Sequence, residues 1–127
     1  MIQKGTILNV VDNSGAKKVS CLHLCQGYQR RYARIGDVIL ASVKSVRYKR
    51  REKVKINKGD VLKALVVKTK VLSSSYSGDK LSFFENSVIL LNNQNKILGT
   101  RVFSPVIKSF RSTKYLRLLS LGSGMIK

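Results

Sequence analysis

Short runs of aliphatic and β-branched residues, separated by turn signals, fill the first two thirds of the chain. Runs over residues 7–11 and about 19–25 predict two strands, and the turn between them carries Asp12 and Gly15. Asp bonds to nearby backbone in such turns, and Gly supplies a positive φ. Two longer strands are expected after the Gly-Asp pairs at 36–37 and 59–60, and another over 83–91.

The last third changes its period. Ser104 as N-cap and Pro105 at the first helical position predict a helix, and either Ser112 or Thr113 is the expected cap of a second short helix. Many short strands followed by small helices are typical of a β-barrel with a helical appendage. We therefore expect one domain over 1–127, with a basic arm at about 47–55 and a helical part at about 105–120.

The net charge of the chain indicates a class of function in addition to a fold. The chain has 25 Lys and Arg against 6 Asp and Glu, a formal net charge of +19 in 127 residues. Such a density of like charge opposes compaction and indicates a polyanionic partner. The densest block, 47–55, cannot line a core and predicts a projecting hairpin tip or arm.

Tyrosines are interleaved with the arginines of the loop at 26–34 and of this arm. Guanidinium groups bind phosphate and stack on bases, so the mixture favours RNA with exposed bases over duplex DNA. No helix-turn-helix or zinc-finger spacing is present. The expected RNA contacts are Arg30, Arg31, Arg47, Arg50, Arg51, Arg101 and Arg111, with Lys44, Lys49, Lys53 and Lys55 in support.

Catalytic and metal chemistry find little support in the sequence. Four of the six acids lie in Gly-containing turns, which explains them structurally. Cys21, His23 and Cys25 alternate along a predicted strand about 6.6 Å apart per step, too far for one zinc ion or for a disulfide. We expect this trio to pack on one apolar face, with no enzyme activity, cofactor or metal.

Membrane association is not expected either. No apolar run approaches the roughly 18 residues of a spanning helix. The first residues form no apolar signal segment and no Arg-rich transit segment, so we expect either that the protein is made where it works or that a leader has already been removed. The absence of a disulfide framework favours a reducing or redox-neutral setting.

Several blocks together resemble the universal large-subunit ribosomal protein number fourteen family, of bacterial and organellar type. They are the segments 1–3, 8–10, 12–16, 30–33, 36–37, 58–67, 91–93, 99–103, 105–106 and 118–121. The resemblance implies a closed five-stranded barrel with a protruding β-ribbon and a small C-terminal helical region. It also implies binding to large-subunit rRNA and bridges to small-subunit rRNA.

The same resemblance implies protein partners. Family members touch the large-subunit ribosomal proteins three and nineteen, and a ribosome-silencing factor docks on them. The residues that match its docking segment are Thr100, Arg101 and Lys114, and Arg117 of the same basic helix is expected to face a partner. A basic insertion at about 48–53 and a serine loop at 73–76, in place of the usual Arg-Arg-Pro stretch, depart from the family pattern.

The sequence leaves alternatives open for both the cellular compartment and the function. Rich use of Lys, Asn, Ile, Leu and Ser hints at an AT-biased genome, so a mitochondrial ribosome is expected, with a plastid or a bacterial cytoplasm as the alternative. A free single-stranded-RNA-binding barrel is the main functional alternative. A membrane-surface protein using the C-terminal helices is a second, although their apolar residues are better explained by packing on the barrel.

Overall fold

Five strands close into a barrel in the computed structural model, which describes residues 1–47, 56–74 and 77–126. The strands, numbered in chain order, are β1 (Ile7–Val10), β2 (Ala16–Leu24), β3 (Val38–Val46), β4 (Val61–Lys68) and β7 (Ser87–Leu91). All neighbours pair antiparallel except β1 and β7, whose parallel pairing closes the ring. The predicted closed five-stranded barrel of a mainly β protein is confirmed.

The remaining elements are short. Two strands make a small ribbon outside the barrel, two others pair in parallel near the C-terminus, and two single-turn helices lie between these last two. They are β5 (Ser73–Ser74), β6 (Lys80–Leu81), β8 (Pro105–Ile107), a 3₁₀ helix (Lys108–Ser112), α1 (Arg117–Leu121) and β9 (Gly124–Ile126).

The C-terminal segment covers one outer face of the barrel. Strand β7 and the second half of β4 are buried on both faces because alternate side chains point to the barrel interior and to this cover. Ala64, Val66, Val88 and Leu90 belong to the interior cluster. Leu65, Val67, Ile89 and Leu91 pack outside it with Val106, Phe110 and Leu118.

The helix start predicted at Ser104 and Pro105 is wrong. Pro105 begins strand β8, and the 3₁₀ helix starts three residues later with Ile107 as its N-cap. Pairing of β8 with β9, together with burial of Val106 against the barrel, outweighs the local capping signal. The cap expected at Ser112 or Thr113 is wrong too, since Leu116 is the N-cap of α1 and provides no side-chain cap.

Three four-residue turns of one design, at 3–6, 34–37 and 57–60, introduce β1, β3 and β4; we call them the entry turns. In each, the third residue is a Gly with φ of 86°, 91° or 95°. In each, the fourth side chain accepts a hydrogen bond from the first backbone N–H: Thr6 from Gln3 at 3.0 Å, Asp37 from Arg34 at 2.7 Å and Asp60 from Asn57 at 2.8 Å. The Gly-Asp signals predicted the second and third of these turns.

Candidate nucleic-acid interface

The loop before β3 presents arginines on a fixed backbone. Ala33 pairs with Ile2 through two backbone hydrogen bonds, and Arg34 begins the second entry turn. Arg30 forms an ion pair with Asp37 at 2.9 Å, whereas Arg31 is exposed without an acidic partner among the described residues. A shallow hollow of about 420 Å³ is lined by Gln29, Arg30, Arg31, Tyr32 and Arg34.

Arg111 lies in a groove between the β5–β6 ribbon and the 3₁₀ helix, which we call the ribbon groove. The groove holds about 830 Å³ and also receives Arg34, Lys80 and Lys108. These last three residues are not among the RNA contacts predicted from the sequence. No local pattern marks them, because residues that are distant in the chain meet there only after the C-terminal segment has packed on the barrel.

Lys114 lines a third hollow, of about 840 Å³, together with Lys63 and Tyr115. The ammonium group of Lys63 donates to Asn95 Oδ1 at 3.0 Å and to the Asn93 carbonyl at 3.3 Å, so it is already engaged. Burial raises the pKa of the Tyr115 hydroxyl. Lys114 is exposed and is the cation of this hollow that remains open to a partner.

The three concavities are neighbours on the surface, because they share lining residues. Arg34 lines both the loop hollow and the ribbon groove, and Ser112 lines both the ribbon groove and the Lys114 hollow. We call this combined surface the basic face. It brings together Arg30, Arg31, Arg111 and Lys114 of the predicted set, from two separate parts of the chain.

Thr100 and Arg101 are held elsewhere, at the turn between β1 and β2. Asn13 Nδ2 donates to Thr100 Oγ1 at 2.7 Å, and Asn13 Oδ1 accepts from the backbone N–H of Thr100 at 2.8 Å and of Arg101 at 3.3 Å. Gly99 lies so close to this turn that a Cβ there would come within 2.9 Å of Asn13 Oδ1. Among the described residues, no hydrogen bond or ion pair joins Thr100 or Arg101 to Lys114 or Arg117, the other two residues predicted to bind a protein partner.

Arg47 has internal partners at the base of the predicted arm. Its guanidinium donates to the Val10 carbonyl at 3.3 Å and lies 5.9 Å from the centre of the Phe103 ring. Its backbone N–H donates to the Gly15 carbonyl at 2.8 Å. Lys49, Arg50, Arg51, Lys53 and Lys55, and with them the arm and the insertion at 48–53, lie outside the described residues.

Lys44 belongs to a second, smaller basic area on the barrel wall. It is exposed on β3, next to Ser45, which pairs with Lys18 of β2. Lys17 and Lys18 are both exposed, since the ladder between β2 and β3 shifts register there. The cover formed by the C-terminal segment packs on β4 and β7, so this outer surface of β2 and β3 carries exposed charge instead.

The described acids all accept hydrogen bonds. Asp12, Asp37, Asp60 and Asp79 accept hydrogen bonds within their own turns. Glu85 accepts from Asn9 Nδ2 at 3.0 Å and lies 3.7 Å from the Lys68 ammonium. Its partial burial alone would raise its pKa, but the hydrogen bond from Asn9 and the charge of Lys68 outweigh burial and lower the pKa.

The prediction that Cys21, His23 and Cys25 share one apolar face is wrong. Cys21 is buried, while His23 and Cys25 are exposed. A register shift between Cys21 and His23 breaks the strict alternation that the prediction assumed. Within the described ranges, His, Cys, Asp and Glu form no group of three or more that could hold a metal ion. None of the helices in the described part of the chain has the length and apolar character to span a membrane.

A known protein family matches almost the whole chain. The model of the family described as ribosomal protein L14p/L23e matches residues 1–126 of the 127-residue chain. The match therefore includes the barrel, the ribbon and the C-terminal cover. The chain belongs to the ribosomal protein L14p/L23e family and is thus a ribosomal protein of the large subunit.

Proposed function

We propose that this protein is a structural constituent of the large ribosomal subunit that binds large-subunit rRNA and helps to form bridges to small-subunit rRNA. The observation that supports it best is the basic face. Its arginines and lysines, with the exception of Lys63, are exposed, and Arg34 begins an entry turn. Such cations neutralise phosphates and release counterions, which gives tight but salt-dependent binding.

Two separate basic surfaces suit an intersubunit role. The basic face lies around the ribbon and the C-terminal cover, and the lysines at 17, 18 and 44 lie on the strands β2 and β3. A protein that contacts two RNAs at once needs two such surfaces. In this proposal the arm residues Lys49, Arg50, Arg51, Lys53 and Lys55 supply further phosphate contacts, as do Arg47 and Arg101.

Protein contacts extend the proposal. Large-subunit ribosomal proteins three and nineteen are its neighbours, and a ribosome-silencing factor binds at Thr100, Arg101, Lys114 and Arg117. The three hydrogen bonds between Asn13 and Thr100 or Arg101, which we call the Asn13 clamp, hold these two residues in place and so support the proposal. The proposed role is architectural rather than catalytic and needs no cofactor, and the proposed location is the mitochondrial ribosome.

Sedimentation tests the proposal. A lysate of the source organism or organelle is fractionated on gradients at low and at moderately high salt, and this chain is followed by immunodetection. Migration with the large subunit at both salt concentrations is the expected result. Recovery in light fractions alone would refute the ribosomal role and support the free RNA-binding barrel, for which the exposure of Tyr28, 93% of its surface, is a suitable stacking platform.

A matched pair of variants tests the residues. Arg31→Ala with Lys114→Ala removes two exposed cations of the basic face, while Lys4→Ala with Lys96→Ala removes the same charge from positions outside it. We expect the first pair to dissociate from the large subunit at lower salt than the wild type and the second pair to behave like the wild type. Equal salt sensitivity of the two pairs would show that overall charge, and not this face, governs binding.

A further inference from the structure

The ribbon groove differs in shape and lining from the rest of the basic face. One wall is the β5–β6 ribbon, with Ser73, Ser74 and Lys80, and the other is the 3₁₀ helix with Lys108 and Arg111. Three apolar side chains also line the groove, and each is half-buried: Ile35, Leu81 and Ile107. Because the cations of the lining are exposed and these three side chains are not, we take the apolar side chains as the floor of the groove and the cations as its rim.

The charge of the groove favours an anion. Arg34, Lys80, Lys108 and Arg111 are exposed and form no ion pair with any acid that the structure describes. The single acid of the lining, Asp79, accepts a hydrogen bond from Ser77 Oγ at 2.9 Å. An occupant with regularly spaced negative charge therefore matches four cations that have no acidic partner in the described chain.

The floor distinguishes between kinds of nucleic acid. An RNA duplex presents mainly phosphates and 2′-hydroxyls, because its bases are paired inside, and it would leave the three apolar side chains uncovered. A single strand offers ribose and base faces to apolar surfaces while its phosphates meet cations. The combination of floor and rim is therefore matched to an unpaired strand.

The walls are fixed before any ligand arrives. The Arg34 N–H donates to Asp37 Oδ2 and the Asp37 N–H donates to the Arg34 carbonyl at 3.2 Å. Phe110, 2% exposed, anchors the 3₁₀ helix in the outer core, and the ribbon is held by the pairs Ser73–Leu81 and Ser74–Lys80. A preformed groove loses little conformational entropy on binding.

We propose that the ribbon groove seats an unpaired segment of RNA, with ribose or base faces on Ile35, Leu81 and Ile107 and phosphates on the four cations. This inference rests on the proposed rRNA-binding function and specifies which form of RNA this part of the surface takes. The ribbon then acts as a wall and contributes Lys80 to the strand beside it.

Oligonucleotide binding by the full-length protein tests the inference. The probes are a fluorescent oligouridylate and an RNA hairpin of the same phosphate number, and the variants are Lys80→Ala with Lys108→Ala and the control pair Lys4→Ala with Lys96→Ala. We expect the groove pair to bind the oligouridylate roughly tenfold more weakly than the wild type, with a salt slope lower by about 1.4, as the loss of two single-strand phosphate contacts predicts. The control pair should stay close to the wild type.

Three outcomes would overturn the inference. The first is that the wild type binds the hairpin as tightly as the oligouridylate, and the second is that the groove pair and the control pair lose equal affinity for the oligouridylate. The third is that polyglutamate at the same charge concentration displaces the oligouridylate, which would indicate an acidic peptide instead. Crosslinking of a 4-thiouridine probe should mark residues within 73–74, 77–81 or 107–112, and marks confined to other described segments would also contradict it. Gradient sedimentation of the groove pair separates the two proposals, because a variant that still joins the large subunit but loses single-strand binding affects the groove alone.

Discussion

The buried carboxylate of Asp12 accepts a hydrogen bond from the backbone N–H of Leu90, 2.9 Å away and 78 positions later in the chain. The other carboxylate oxygen accepts from the backbone N–H of Ser14 at 3.0 Å and from the Ser14 hydroxyl. The backbone of Asp12 also pairs with Val102. One side chain that looked like a turn residue thus joins the first turn to β7, next to the C-terminal cover.

Replacing Asp12 with Ala should lower the free energy of unfolding by about 3 kcal/mol, because it leaves the buried N–H of Leu90 without its partner. Urea unfolding followed by circular dichroism measures the change. Asp79→Ala is the matched control, since Asp79 is exposed and bonds only to a nearby serine in the described structure, and it should change the value by no more than about 0.5 kcal/mol. Similar losses in both variants would contradict the bridging role of Asp12.

Gly99→Ala should disturb the Asn13 clamp. The added methyl group would lie 2.9 Å from both Asn13 Oδ1 and Asp12 Cβ, so the turn must shift, at a cost of about 1–3 kcal/mol. Amide chemical shifts of Thr100 and Arg101 should move in an NMR spectrum. Gly124→Ala, where the added methyl group meets nothing within 4 Å, serves as the control and should leave these two shifts in place.

The two cysteines should differ sharply in reactivity. Cys25 is exposed, whereas burial, followed by the proximity of Cys25, raises the pKa of the Cys21 thiol. Because the thiolate is the reactive form, a brief maleimide treatment of the native protein should give one adduct by mass spectrometry. Cys25→Ser should abolish it, Cys21→Ser should retain it, and two adducts should form in denaturant; rapid double labelling of the native wild type would contradict the buried position of Cys21.

Glu85 should contribute to stability in a pH-dependent way. Its folded pKa lies below the ordinary value of 4.5, so folding favours the carboxylate, and the contribution is fully present above that value. The contribution is lost as the pH falls through the lowered pKa. The difference in unfolding free energy between wild type and Glu85→Gln should therefore be largest near neutral pH and shrink in acid.

A second variant tests why the pKa of Glu85 is lowered. Asn9→Ala removes the 3.0 Å hydrogen bond and should move the Glu85 pKa upward, as followed by the NMR signal of its carboxyl carbon. An unchanged titration in Asn9→Ala would show that Asn9 does not hold the carboxylate in its charged form.

Local turn chemistry made most of the barrel predictable. Gly36 and Gly59 adopt positive φ, and the Asp that follows each of them bonds back across its turn, which is the role that the sequence indicated. Residues 64–67 of the strand after Asp60 are all apolar because this half of β4 is buried on both faces. These features depend on neighbours a few residues away, so a single sequence contains them.

The C-terminal segment and the site were harder to predict because they depend on distant partners. Ser104 and Pro105 carry a helix-start signal, yet Pro105 joins a strand pair with Gly124. The ribbon groove unites Arg34, Lys80 and Lys108, which are separated by long stretches of chain. Composition indicated a polyanionic partner and selected Arg30, Arg31 and Arg111, but only packing shows which other cations share their surface.

The parallel seam between β1 and β7 has a consequence for the order in which the protein folds. Strands β1 to β4 pair with their neighbours in sequence, whereas the seam joins Asn9 to Ser87 and Val10 to Val88. Closing so long a loop costs chain entropy before those few pairs repay it. We therefore expect the meander of β1 to β4 to form first during synthesis. The barrel can close only after Leu90 has been synthesised and its backbone N–H can donate to the Asp12 carboxylate.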